Sequence, residues 1–402
     1  MGIYETLYAF QDSFGQFMGT EGTHPWSQGF PLTTQLSGGP ELPNRVEVTW
    51  EDRFYPKAWG HPRLREAVAR HYNSFYGSSI APQNVMVFAG GRPGLYAVLA
   101  FLKKHIEIRI GNVEWPAYLD IMTQTKTQWR VIPFNKANGF HPSNAAYFDR
   151  EGLNAKTHLM PVISNPSNPT GHTRCDAELE ELISMAEQPR NGILLDEAYE
   201  MFHESKGVSG IAHVKDLDNS NVFLAGACTK GLQCPGIRIG WIIASQKNIG
   251  TLSNFSSFGM GGVSHPSQLY AVELLGPDRV AQARDAVERH YSMQRRRYGD
   301  AFKEMGLTIH TGDGGFYHWL ELPSGLKAGE FNRRLFRHGA AILEGIDCDM
   351  ARPHGKDPEY VSPYDSFFRF SFGPLLPETF ESDIAIMKQV LDEYRSDAAI
   401  AL

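Results

Sequence analysis

The chain has 402 residues, 42% hydrophobic and 21% charged, an ordinary balance for a globular protein with a sizeable core, which excludes a disordered chain. Thirty-eight Lys and Arg against 45 Asp and Glu leave a formal charge of −7, and no Lys/Arg-rich run is present, which argues against a nucleic-acid partner. Four cysteines (Cys175, Cys228, Cys234, Cys348), none in a CxxC pair, are too few for a disulfide scaffold and read as thiols in a reducing cytosol. No metal site is expected.

In chain order, the N-terminus MGIYETLYAFQDSFGQF has no basic leader and no long apolar core, so no signal peptide is expected. The most apolar short runs, Val222 to Ala227 and Trp241 to Ala244, are far too brief to span a bilayer, so the expectation is a cytoplasmic protein without a membrane partner. Residues 1 to about 45 are aromatic and rich in Gly and Pro (GTEGTHPWSQGFPLTTQLSGGPELP) and read as an arm or wrapping loop. From Pro62 the segment PRLREAVARHYNSFYG sets Leu64, Val68 and Tyr72 on one helical face and stops at Gly77. A strand from Asn84 to Ala89 runs into Gly90 and Gly91, and a helical stretch follows from Leu95 to Lys104. Short apolar runs recur at Val131 to Phe134, Leu159 to Ser164, Gly192 to Leu195 and Val222 to Leu224, with helical patterns such as Asp176 to Glu187 between them. That alternation predicts a mostly parallel sheet covered on both faces. The stretch from Asp278 to Met305 reads as one long connecting helix. Beyond it, LTIHTGDGGFYHWLELP and FFRFSFGP read as strands, and AGEFNRRLFRHG and PETFESDIAIMKQVLDEYRS as helices, together an α+β lobe.

Four segments carry polar residues at the end of a short apolar run, where open α/β sheets place ligands. FAGGRPG (88–94) is a Gly-rich strand-to-helix turn whose free N–H groups suit an anion, most naturally a phosphate; it is not GxGxxG. SNPSNPTGH (164–172) is a loop stiffened by two Asn-Pro pairs, in which Asn165 and Asn168 either face a ligand or bond their own backbone. In ILLDEAYE (193–200), Asp196 ends a buried strand, where a carboxylate needs a positive partner or a capping role, and Tyr199 follows three residues later. In GACTKGLQCPGIRIGW (226–241), Lys230 sits between a strand and a broken loop, eight residues before Arg238. It is either a surface lysine or, desolvated beside other cations, an amine nucleophile.

Taken together, NPSNPTG, DEAY and TK…PGIRIGW resemble the aspartate aminotransferase superfamily, fold type I enzymes that use pyridoxal 5′-phosphate (PLP), and the likeness runs through essentially the whole chain. The resemblance implies an α/β fold: a mostly parallel, seven-stranded-type sheet in a large PLP-binding domain (46–290), a smaller α+β C-terminal domain (291–402), and an N-terminal arm (1–45) over the active site. Residue by residue, it implies that Lys230 forms the Schiff base with PLP and shuttles the proton. Asp196 pairs with the pyridinium nitrogen, so the ring can serve as an electron sink. Asn168 and Tyr199 hold the ring's 3-oxygen, and Tyr118, in WPAY, stacks on the ring. The backbone of Gly91 and Arg92, together with Arg238, binds the phosphate, and Tyr55 reaches the phosphate of a neighbouring subunit in a homodimer with shared active sites. Arg369, in FRFSFG, clamps the substrate α-carboxylate as a planar fork, and Gly29 and Asn168 lie against the substrate.

The chain also departs from the family pattern. Ala227 stands where a phosphate-binding serine is common, with Thr229 as the substitute. Pro93 removes a backbone donor from the phosphate turn, and Arg92 adds a charge placed either to replace lost phosphate contacts or to reach an anionic group on the substrate. His24, on the arm between Thr23 and Pro25, is a candidate for steering protonation, unless it is an ordinary hydrogen-bonded loop histidine. The expected activity is aminotransfer from an α-amino acid. The alternative keeps PLP and Lys230 but performs elimination, replacement, cyclisation or oxidation, for example on arginine. A ligand-binding or regulatory role fits less well, because no span is free to form a DNA-binding domain.

Overall fold

The computed structural model describes residues 2–102, 105–205, 208–353 and 359–400. Seven short strands build the larger sheet: β1 (Val85–Phe88), β2 (Ile106–Gly111), β3 (Trp129–Ile132), β4 (His158–Ser164), β5 (Ile193–Asp196), β6 (Val222–Ala227) and β7 (Gly240–Ile243). Their spatial order is β1-β7-β6-β5-β4-β2-β3, and only β7 runs against its neighbours. Side chains alternate across a strand, so one strand feeds two cores. Val85 and Val87 of β1 enter one core with Leu64, Val68 and Tyr72 of α2 (Pro62–Tyr76). Met86 and Phe88 enter the other, beside α3 (Gly91–Ala100), α4 (Ala117–Thr125) and, further along the chain, α7 (Gln246–Phe255). Every residue of β1, β5 and β7 is buried, the condition for strands covered on both faces.

Two small helices, α5 (Asn144–Tyr147) and α6 (Asp176–Ala186), lie between β3 and β5 in sequence, and α8 (His265–Leu274) precedes the long α9 (Pro277–Glu304). Along α9 the residues Val280, Ala283, Val287, Tyr291, Gln294, Tyr298 and Phe302 are buried at helical spacing, which fixes it against the core. After it, β8 (Thr308–Ile309), β9 (Tyr317–Glu321), β10 (Leu343–Glu344) and β11 (Phe367–Ser371) form an antiparallel sheet in the order β10-β11-β9-β8, accompanied by α10 (Ala328–Phe336) and α11 (Phe380–Ile400).

Three differences from the sequence reading have physical causes. The arm is not all loop: Gly2–Phe14 forms helix α1, whose Phe10 is fully buried, its ring edge-on to Phe336 with centroids 5.7 Å apart. Strand β2 interrupts its apolar run with charges. Arg109 is nevertheless buried, because its guanidinium meets Glu107 at 2.8 Å and the Asp149 carbonyl at 2.9 Å. Helix α3 starts at Gly91, four residues before the predicted start, and ends at Ala100; residues 103 and 104 of the predicted stretch lie outside the described residues. The early start places the glycine turn directly at a helix N-terminus. Among the described residues, no helix is long and apolar enough to cross a membrane.

Candidate active site

The carboxyl ends of β4, β5 and β6 lie side by side, with Ser164 paired to Asp196 and Asp196 to Ala225. Loops leaving these ends deliver Asn168, Tyr199 and Lys230 into one cavity of ≈ 460 Å³, within the range that holds a cofactor and a small substrate. Gly29, Gly91, Arg92, Trp115, Asp196, Thr229, Arg238, Tyr317 and Arg369 also line it.

Lys230 follows β6 and points its ammonium at the Gly29 carbonyl on the arm, with the rings of Tyr199 and Phe316 5.7 and 5.6 Å away. Burial, reinforced by Arg369, Arg92 and Arg238, pulls its pKa down to about 7 against the opposing charge of Asp196. Only the neutral amine attacks a carbonyl. Capture of added PLP by cofactor-free protein, followed by absorbance, is therefore expected to accelerate as pH rises through about 7 and to level off above it. A rate still climbing toward the ordinary lysine range would contradict this.

Asp196 ends β5 and is buried. Burial raises its pKa, while the Tyr118 hydroxyl donates to Oδ2 at 2.8 Å and the Ala198 N–H to Oδ1 at 3.2 Å, both favouring the charged form. Tyr118 thus stands behind the carboxylate, fully buried in the core that α3 and α4 share. It does not stack across the cavity as expected. Trp115, three residues earlier and ahead of α4, lines the cavity instead, with the Arg92 guanidinium 5.0 Å from its ring centroid.

The anion turn is built around Gly90, the N-cap of α3, at φ +97°. A Cβ there would collide with the Arg238 guanidinium, so a residue larger than glycine would expel that cation from the turn. Gly91 and Arg92, the first two residues of α3, line the cavity, so a helix N-terminus stands at its wall, which suits an anion. Ala227 lines the wall without a hydroxyl, and Thr229 lines it with one.

Arg369 stands on β11, 1% exposed, and spreads its fork between the Asn168 loop and the arm. Nη1 donates to Asn168 Oδ1 at 2.9 Å and Nη2 to the Ser27 carbonyl at 2.7 Å. Its partner Asn168 is cavity-facing, whereas Asn165 is structural: its amide bonds the Arg174 and Val208 carbonyls at 2.9 and 3.0 Å. Beneath Arg369 lies the Tyr317 ring, 4.2 Å from Cζ, and the Tyr317 hydroxyl meets that of Tyr199 at 2.7 Å. Within FYHWLELP, Tyr317 carries no signal beyond that of a strand residue.

One further expected site residue, on the arm, stands elsewhere. His24 is tied to the small domain, its backbone N–H on Gly339 and its Nδ1 2.6 Å from Asp383 Oδ1, and it does not line the cavity. Asp383 also accepts Trp26 Nε1 at 2.9 Å and the Tyr298 hydroxyl at 2.6 Å, so this histidine belongs to a hydrogen-bond network that fastens the arm. Tyr55 is 93% exposed and outside the cavity of its own chain.

A half-buried lysine just past a strand end, a hydrogen-bonded carboxylate and an arginine-flanked turn form a site suited to a cofactor with an anionic group, at the carboxyl edge of an α/β sheet. The sequence profile of the aminotransferase class I and II family matches residues 44–377, and the chain belongs to that family of PLP-dependent enzymes. It is 27% identical over 296 residues to an aspartate aminotransferase of Pyrococcus horikoshii, covering 72% of this chain and 73% of the relative. It is 25% identical over 322 residues to the transaminase BacF of Bacillus subtilis, covering 76% and 78%. The fold superposes on the Thermus thermophilus aspartate aminotransferase with maleate at a TM-score of 0.81, with 19% identity and 97% and 96% of the two chains covered. The protein is a PLP-dependent, aminotransferase-like enzyme whose larger sheet has seven strands, mostly parallel.

Proposed function

We propose that the enzyme transfers the amino group of an α-amino acid bearing a second, side-chain anion. The observation that carries this reading is the pair of cavity arginines on opposite elements, Arg369 on β11 and Arg92 at the start of α3. Arg92 has no acidic partner among the described residues and rests only on Trp115, so its charge is available to a ligand. Arg369 and the arm at Gly29 take the α-carboxylate, and Arg92 takes the distal anion. Aspartate is the simplest molecule of this class, in keeping with the Pyrococcus relative.

PLP, when bound, supplies the electron sink that lets the α-proton leave. The chain's own residues hold and steer. Lys230 would attach the cofactor through its amine and carry the proton. Asp196, held by Tyr118, would pair with the ring nitrogen, and Asn168 and Tyr199 would hold the 3-oxygen. Trp115 would supply an aromatic contact to the ring. The turn at Gly91 and Arg92, with Thr229 and Arg238, would hold the phosphate. Nothing in the site favours elimination, cyclisation or oxidation, and His24, the residue on which a different outcome would have turned, lies outside the cavity.

The arm (1–45), the large domain (46–290) and the small domain (291–402) then work as a cleft closed by its N-terminal strap. We place the protein in the cytoplasm as a homodimer, with Tyr55 reaching the partner's phosphate site. Support comes from the run of exposed apolar side chains Val48, Trp50, Phe54, Tyr55 and Trp59, which a lone chain would leave in water. Sedimentation of the purified protein should give twice the chain mass, and Trp50→Glu combined with Phe54→Glu should shift it toward the monomer.

Arg92→Ala is expected to raise KM for aspartate at least ~10-fold relative to alanine, the loss of one charge-assisted contact of roughly 1.5–3 kcal/mol. PLP affinity should stay within a few-fold. Loss of PLP binding with an unchanged aspartate preference would assign Arg92 to the phosphate instead.

A further inference from the structure

Tyr317 belongs to β9 of the small-domain sheet, two residues from Trp319, the register partner of Arg369 on β11. Its side chain is fully buried, lines the cavity and makes two contacts with residues given roles above. The ring lies under the Arg369 guanidinium at 4.2 Å, and the hydroxyl meets Tyr199 at 2.7 Å. The space is cut to fit: a Cβ on Gly29 would stand 2.7 Å from the Tyr317 oxygen, so the arm's glycine is what leaves that hydroxyl room.

A phenol has one proton to give and lone pairs to receive. At 2.7 Å one of the two hydroxyls must donate to the other. A guanidinium over a phenol ring stabilises the ring's negative form and so makes that O–H the better donor. Tyr317 carries the Arg369 guanidinium at 4.2 Å, whereas the cation nearest the Tyr199 ring, Lys230, stands off at 5.7 Å. Burial raises both phenols and Arg369 pulls both back, but the hydrogen bond between them lowers Tyr317 and pushes Tyr199 higher still. Donation from Tyr317 leaves the Tyr199 proton free for a third group and strengthens it as a donor, as chained hydrogen bonds do.

We propose that Tyr317 is a positioning residue: its hydroxyl turns the Tyr199 proton toward the cofactor's 3-oxygen while its ring seats the carboxylate-clamping Arg369, joining the two ends of the site. This rests on the reading above that Tyr199 holds the 3-oxygen.

The test uses PLP-loaded protein and the pH at which the bound cofactor's visible absorption changes, measured without substrate. Tyr317→Phe keeps the ring under Arg369 and removes only the hydroxyl. It should move that midpoint by about half to one pH unit in the same direction as Tyr199→Phe and by less. KM for the amino acid should hold while kcat falls. Added to Tyr199→Phe, Tyr317→Phe should give no further shift. A Tyr317→Phe midpoint equal to that of the wild type, or a double variant shifted by the sum of the two, overturns the proposal while leaving the Tyr199 reading intact. A Tyr199→Phe midpoint that does not move overturns both. Should Tyr317→Phe fail to fold, Gly29→Ala replaces it, since the added methyl displaces the same hydroxyl. The same shift is then expected, and its absence overturns the proposal.

Discussion

Lys230→Ala yields a protein that holds PLP without a covalent link and turns over at least ~10⁴-fold more slowly, because one substitution removes both the amine nucleophile and the proton carrier. The geometry explains why no neighbour substitutes. Lys230 is the cavity's single lysine among its lining residues, and Arg369, Arg92 and Arg238, the cations that lower its pKa, remain protonated and cannot act as bases. Removing the lysine should also free the Gly29 carbonyl, so the arm is expected to become more sensitive to protease near residue 29. Reduction with borohydride followed by peptide mapping checks the first half: the wild type should retain the cofactor on the peptide containing Lys230, and the variant should retain none. A variant that turned over at the wild-type rate would remove the basis of the whole assignment.

Arg369→Ala is the second large effect. A buried, bidentate contact to a carboxylate is worth roughly 2–5 kcal/mol, so kcat/KM should fall by about 30- to several-thousand-fold, mainly through KM. The loss exceeds the contact with substrate. Asn168 Oδ1 and the Ser27 carbonyl both lose their donor, and the Tyr317 ring loses its cation. Arg369→Lys should recover only part of it, since a point charge cannot bond Asn168, Ser27 and a carboxylate in one plane. A kcat/KM for an amino acid within a few-fold of the wild type would assign the α-carboxylate to another group.

The residues that the sequence made legible share one property: they sit where an apolar strand ends. Parallel strands put their carboxyl ends on one edge, so Asn168, Asp196, Tyr199 and Lys230 converge although up to 62 positions separate them. What stayed hidden depended on partners far away in sequence. For His24 the sequence leaves open a steering role or a hydrogen-bonded loop histidine, because Asp383, which holds it, is 359 residues distant. Tyr317 looked like a core strand residue because its hydroxyl partner, Tyr199, lies 118 residues earlier. Trp115 and Tyr118 are both aromatic and three residues apart, so spacing alone does not say which faces the cavity; the Tyr118 hydrogen bond to Asp196 decides it. Helix α1 was hidden because its Phe10 gains its burial from Phe336 in the small domain. Strand β2 was hidden because Arg109 breaks the apolar pattern and is compensated only by Glu107 and the Asp149 carbonyl.

The most direct measurement mixes PLP-loaded protein with L-aspartate, without oxo acid and without oxygen, and follows the visible spectrum to completion. The account predicts clean loss of the PLP band, growth of the pyridoxamine phosphate band and one equivalent of oxo acid per active site. Release of product over many turnovers with the PLP band unchanged would contradict it.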